Sequence, residues 1–107
     1  TPAMKVAREE TFGPLAPLFR FKNDDDVIRM ANDTEFGWAA YFYSRDVGRI
    51  WRVAEQLEYG MVGINTGILS NEAAPFGGVK QSGIGREGSR YGLDDYLVMK
   101  YWCIGGI

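Results

Sequence analysis

Histidine is missing from this chain altogether, and cysteine occurs once, at Cys103. Without histidine there is no Cys-His or Ser-His-Asp arrangement for nucleophilic catalysis. The zinc sites that need an imidazole are excluded as well, and no metal ligand set is expected. A single cysteine closes no internal disulfide. It fits a reducing compartment, so the expected location is cytoplasmic. No apolar run approaches the length of a membrane span. Basic residues are not in excess: 12 Lys and Arg stand against 14 Asp and Glu, for a net charge of -2. That gives neither the electrostatic footprint of a nucleic-acid binder nor a polybasic stretch for a membrane surface. The opening TPAMKVAREE reads as neither a signal peptide nor an initiator sequence, and as the continuation of something longer.

What is present is ordinary globular material: 107 residues, 46% hydrophobic and 24% charged. That is enough for one core, or for a piece of a larger domain. Residues 6–21 carry Leu15, Leu18, Phe19 and Phe21 broken by Pro14 and Pro17. This predicts a loop feeding a short extended segment. Asn23 followed by Asp24, Asp25 and Asp26 is a helix start, a cap with acids that complement the helix dipole. Val27, Ile28 and Ala31 give that helix its apolar face, and Asn32, Asp33 and Thr34 end it. The aromatic run WAAYFY at 38–43 predicts a strand. Ser44 is the expected cap of a second helix, whose stripe is Ile50, Val53, Ala54 and Leu57, with Gly60 as its stop. MVGIN at 61–65 predicts another strand. A short helix is possible within 87–94, and YLVMKYWCI at 96–104 predicts a final strand. Helices alternating with strands argue for an α/β fold on a mostly parallel sheet. Phe19, Tyr41, Phe42 and Trp51 are expected in the core, and Cys103 as a buried packing residue of the last strand.

The stretch 71–88, NEAAPFGGVKQSGIGREG, stands apart. Its glycines, Gly77, Gly78, Gly83, Gly85 and Gly88, weaken any strand or helix. A long shaped loop is predicted, tied down by Pro75 and Phe76. Residues 83–88 match G-x-G-x-x-G, but a dinucleotide fingerprint needs a strand before it and a βαβ unit around it. Residues 77–82 do not read as a strand, so these glycines are expected to shape a turn.

Glu10 and Phe12 lie two apart and share one side of an extended backbone. A carboxylate accepts hydroxyl hydrogen bonds and a phenyl face packs on a planar ring, which suits the ribose and base of a nucleoside. The plainer alternative is a solvated acid and a core phenylalanine. Ser70, Asn71 and Glu72 follow a strand end, a common place for binding groups in an α/β sheet, and equally for ordinary turn chemistry.

The stretches REETFGPLAPLFRF, ANDTEFGWAAYFYSRD, LEYGMVGINTG and APFGGVKQSGIGREGSRYG, in that order, cover nearly the whole chain. Together they resemble the aldehyde dehydrogenase superfamily, and most closely its succinate-semialdehyde dehydrogenases. The resemblance implies an α/β fragment from the C-terminal portion of such a catalytic domain. Residues 1–95 would belong to the catalytic domain and 96–107 would form a final oligomerisation strand, making a homo-oligomer. It implies that Glu10 binds the nicotinamide ribose hydroxyls of NAD or NADP and that Phe12 packs on the nicotinamide. It implies that Ser70 holds the far carboxylate of a small-molecule aldehyde and that Phe76 lines the substrate tunnel. In the family a cysteine attacks the aldehyde, hydride passes to NAD or NADP, and a glutamate-activated water releases the acid. Neither that cysteine nor that glutamate is expected in this chain, and Cys103 is not the nucleophile. Val98 departs from the resemblance, since the family often has an acid there, near Arg86. The alternative is a non-catalytic module that works at most by self-association.

Overall fold

The computed structural model describes residues 1–106. Helix α1 spans Asp24–Asn32 and helix α2 spans Val47–Gln56. Asn23 caps α1 as expected: its backbone is extended and its side chain accepts the Asp26 N–H at 2.9 Å. The cap of α2 is Asp46 rather than Ser44. Asp46 Oδ1 accepts the Arg49 N–H at 2.9 Å, while Ser44 Oγ accepts the Asp46 N–H one step earlier. A carboxylate at the helix start also answers the dipole, which a hydroxyl does not. Nor does Gly60 stop α2. The helix ends at Gln56, and Leu57 is already extended.

Strand β2, Ala39–Phe42, pairs in parallel with β3, Met61–Ile64, so α2 is the crossover of a βαβ unit. A second, antiparallel pair joins β1, Phe36–Gly37, to β4, Val79–Lys80. The expectation that residues 77–82 hold no strand is therefore corrected. The pairing lasts only two residues, too few for a hydrophobic pattern to announce it. Trp38 stands between β1 and β2, where the chain passes from one sheet to the other.

The core is small. Ile28 of α1, Val53 of α2 and Met61 of β3 are its buried apolar residues among those described. Polar clamps hold the helices together at both ends. Asp24 takes both Arg49 and Arg52. At the far end, Asn32 donates to the Gln56 carbonyl at 2.7 Å and accepts the Glu58 N–H at 2.9 Å.

The aromatic core expectation is corrected. Trp51 is 67% exposed, and Phe19 and Tyr41 are exposed too. The physical reason is shape: the radius of gyration is 18.8 Å, where a compact chain of this length would have roughly 13 Å. Much apolar surface therefore has no second layer to meet within the chain. The final strand is corrected for the same reason. Arg90–Tyr96 form a 3-10 helix, and residues 97–106 run without regular structure. Leu97 is extended, but a strand needs a ladder partner, and the chain supplies none among its described residues. Cys103, expected buried, is exposed on this segment. No helix among the described residues is long and apolar enough to cross a membrane.

Candidate functional site

Glu10 follows a 3-10 turn at Lys5–Ala7, where the Lys5 carbonyl accepts the Arg8 and Glu9 N–H groups at 2.9 and 2.8 Å. Arg8 reaches Asp33 at 3.7 Å and so tethers this segment to the end of α1. Glu10 lines an open cavity of about 880 Å³ together with Glu35, Trp38, Tyr41 and Tyr59. Its carboxylate makes no hydrogen bond or ion pair among the described residues. A ribose offers hydroxyl donors, and an acceptor-only carboxylate on an aromatic-walled cavity is a chemical match for them. Phe12 lies outside that cavity lining, 96% exposed. Its ring meets no core within this chain.

Phe76 is fixed on both sides. Its N–H donates to the Glu87 carbonyl at 2.9 Å and its carbonyl accepts the Glu87 N–H at 2.7 Å. Its ring meets Trp38 edge-on, with centroids 5.4 Å apart and planes at 84°. Trp38 thus joins two of the expected residues, lining the Glu10 cavity and carrying the Phe76 ring. From the sequence Trp38 is only the first residue of an expected strand. A large aromatic beside Gly37 at a strand start was the available signal.

The loop that carries Phe76 is braced from within. Arg86 Nη1 donates to the carbonyls of Gly78 and Gly85, each at 2.7 Å, and the Arg86 N–H donates to Asp95 at 3.0 Å. Arg86 thus finds carbonyl partners within its own loop. Gly83, Gly85 and Gly88 all have positive φ, as a shaped turn requires. Lys80 ties β4 to the helices. Its ammonium donates to the carbonyls of Asn32 and Thr34 at 3.0 and 3.2 Å and pairs with Glu58 at 2.6 Å.

Ser70 lies beyond the carboxyl end of the parallel pair, exposed in the loop that leaves β3. Neither it nor Phe12 lines the cavity that Glu10 lines. Among the described residues no group of His, Cys, Asp and Glu is placed to hold a metal ion.

A sequence model of the aldehyde dehydrogenase family matches residues 1–102. Among curated proteins, the chain is 70% identical over 107 residues to a 3-sulfolactaldehyde dehydrogenase of Pseudomonas putida, covering 100% of the chain and 22% of that relative. It is 73% identical over 101 residues to a succinate-semialdehyde dehydrogenase [NADP(+)] of Escherichia coli, covering 94% of the chain and 21% of that relative. Among solved structures, succinate-semialdehyde dehydrogenase from Burkholderia pseudomallei superposes with a TM-score of 0.92 at 74% identity, over 97% of this chain and 22% of that one. The chain thus spans about a fifth of the length of the relatives it matches.

Proposed function

Since the chain belongs to the aldehyde dehydrogenase family, we propose that it is a fragment of an NAD(P)-dependent semialdehyde dehydrogenase acting on succinate semialdehyde or a similar aldehyde. The observation that carries this reading is the pairing of an uncommitted carboxylate, Glu10, with an aromatic-walled cavity whose Trp38 also holds Phe76. Support also comes from relatives that bear semialdehyde and sulfolactaldehyde names at nearly equal identity. Those names share an aldehyde with an acidic group at the far end. Within the longer enzyme we read the chain as a C-terminal portion. The support for that is the resemblance of the four stretches to the C-terminal end of the family's catalytic domain.

The bound nicotinamide cofactor supplies the hydride acceptor. This chain's residues bind and orient. The Glu10 carboxylate accepts hydrogen bonds from the nicotinamide ribose hydroxyls, and the Phe12 ring covers one face of the nicotinamide. Ser70 donates to the far carboxylate of the semialdehyde, and Phe76 forms apolar wall along the substrate's path. The nucleophilic cysteine and the water-activating glutamate belong to the remainder of the enzyme. The net change is aldehyde plus water to acid, with two electrons and a proton leaving as hydride and a second proton released.

The test is direct. The full-length protein is incubated with succinate semialdehyde and NAD or NADP, and reduced cofactor is followed by its absorbance. Aldehyde-dependent reduction is expected. Its absence with both cofactors and with both succinate and glutarate semialdehyde refutes the reading.

A further inference from the structure

Asn65 sits where β3 ends, in the left-handed region at φ 57. Asparagine tolerates that region better than most residues with a side chain. Its backbone N–H still donates to the Phe42 carbonyl at 3.0 Å, one rung past the last strand pair. Its side-chain amide then does what the backbone no longer does. Oδ1 accepts the Ser44 N–H at 2.9 Å, and Nδ2 donates to the Ser44 carbonyl at 2.8 Å. The amide thus mimics a peptide unit and extends the parallel ladder past the strand end, while the main chain turns away.

The departing segment leads directly to Ser70. Thr66 Oγ1 accepts the Ile68 N–H at 3.2 Å. Leu69 is half-buried, and its Cδ2 lies 3.1 Å from where a Cβ on Gly63 would stand. Beyond Ser70, Asn71 Oδ1 accepts the Ala73 N–H at 2.9 Å, and the Glu72 carbonyl accepts the Ser89 N–H at 2.9 Å. Ser70 itself is exposed and makes no hydrogen bond among the described residues. Its place is therefore set by the two ends of its loop, and the upstream end is the Asn65 clamp.

We propose that Asn65 is a positioning residue for recognition of the substrate's far carboxylate, acting through Ser70. This rests on the reading of Ser70 given above. A residue that orients a binding hydroxyl affects only substrates that use the hydroxyl. A residue that merely supports the fold affects all substrates alike.

The experiment uses the full-length enzyme with succinate semialdehyde and with butanal, which keeps the chain length and aldehyde but lacks the carboxylate. Asn65→Gly keeps access to positive φ and removes the clamp. Asn65→Asp keeps the acceptor for the Ser44 N–H and removes the donor to the Ser44 carbonyl, and it decides the matter if the glycine variant does not fold. Each variant is expected to raise the KM for succinate semialdehyde about tenfold, the scale of one lost hydrogen bond. The KM for butanal and for the cofactor should stay unchanged. An equal rise for both aldehydes, or no rise for either, overturns the proposal. Ser70→Ala is measured in parallel. If it separates the two aldehydes and the Asn65 variants do not, the Asn65 inference falls alone. If Ser70→Ala does not separate them, the Ser70 reading falls and takes the inference with it.

Discussion

Gly60 lies so close to Gly77 that a Cβ on Gly60 would overlap the Gly77 carbonyl oxygen, with Gly78 Cα next in line. The chain leaving α2 and the loop carrying Phe76 therefore touch backbone to backbone. Backbone cannot swing aside as a side-chain tip can. Gly60→Ala must push residues 77–78 away and move Phe76 with them. The expected cost is about 1–3 kcal/mol of stability, the usual scale for overpacking, with a raised aldehyde KM in the full-length enzyme. Thermal unfolding and steady-state kinetics check both. A variant with wild-type Tm and KM shows that the contact is dispensable.

Arg86 holds the other side of the same loop through two carbonyls, Gly78 and Gly85. Hydrogen bonds from a charged group contribute roughly 1.5–3 kcal/mol each, and less where water competes. Arg86→Lys keeps the charge but shortens the side chain and gives up the fixed planar directions of the two Nη1 N–H bonds. A lower Tm by several degrees is expected in the full-length enzyme, for a loss of about 1–3 kcal/mol. Restoring an acid with Val98→Glu in that background should recover little, because the loop's partners are carbonyls. Full recovery would show that the last segment, not the loop, is the natural partner of position 86.

The last segment concerns association. Val98 is 93% exposed, Met99 101% and Tyr101 88%. An extended apolar segment with unpaired backbone recruits another strand. Sedimentation of the 107-residue chain should therefore show concentration-dependent association, and Val98→Lys with Tyr101→Lys should weaken it. A clean monomer over a hundredfold concentration range, roughly, is the contrary result.

What could be read from the sequence was local. Asn23 with three following acids announced α1 because capping and dipole effects act within one turn. The stripe through Val53 announced α2 because burial on one face leaves a period. The glycine turn at 83–88 is no nucleotide fingerprint, but not for want of a strand before it: β4 does precede it, as a two-residue antiparallel strand outside any βαβ unit. The misses depend on what lies across space. β1 pairs with β4 across a long stretch of chain, Phe36 to Lys80 and Gly37 to Val79, and no local pattern encodes so short a ladder. Tyr41 and Trp51 carry core-like chemistry yet stay exposed, because the layer that would cover them is not in this chain. Asn65 looked like a strand end, and only the position of Ser44 reveals its amide as a clamp. Of the site residues, Glu10 and Phe76 are brought near Trp38, while the resemblance alone joins Phe12 and Ser70 to them.

The central claim is that one short chain carries a cofactor contact at Glu10 and a separate substrate contact at Ser70. The most direct test is crossed steady-state kinetics on the full-length enzyme, with each ligand varied in turn. Glu10→Gln keeps the shape and removes the charge, and should weaken cofactor use by about tenfold to a hundredfold with the semialdehyde KM little changed. Phe12→Ala should slow hydride transfer through a misplaced ring. Ser70→Ala should raise the semialdehyde KM and leave the cofactor KM alone. If Glu10→Gln leaves both cofactor parameters at wild-type values, Glu10 is a solvated surface acid and the account is contradicted.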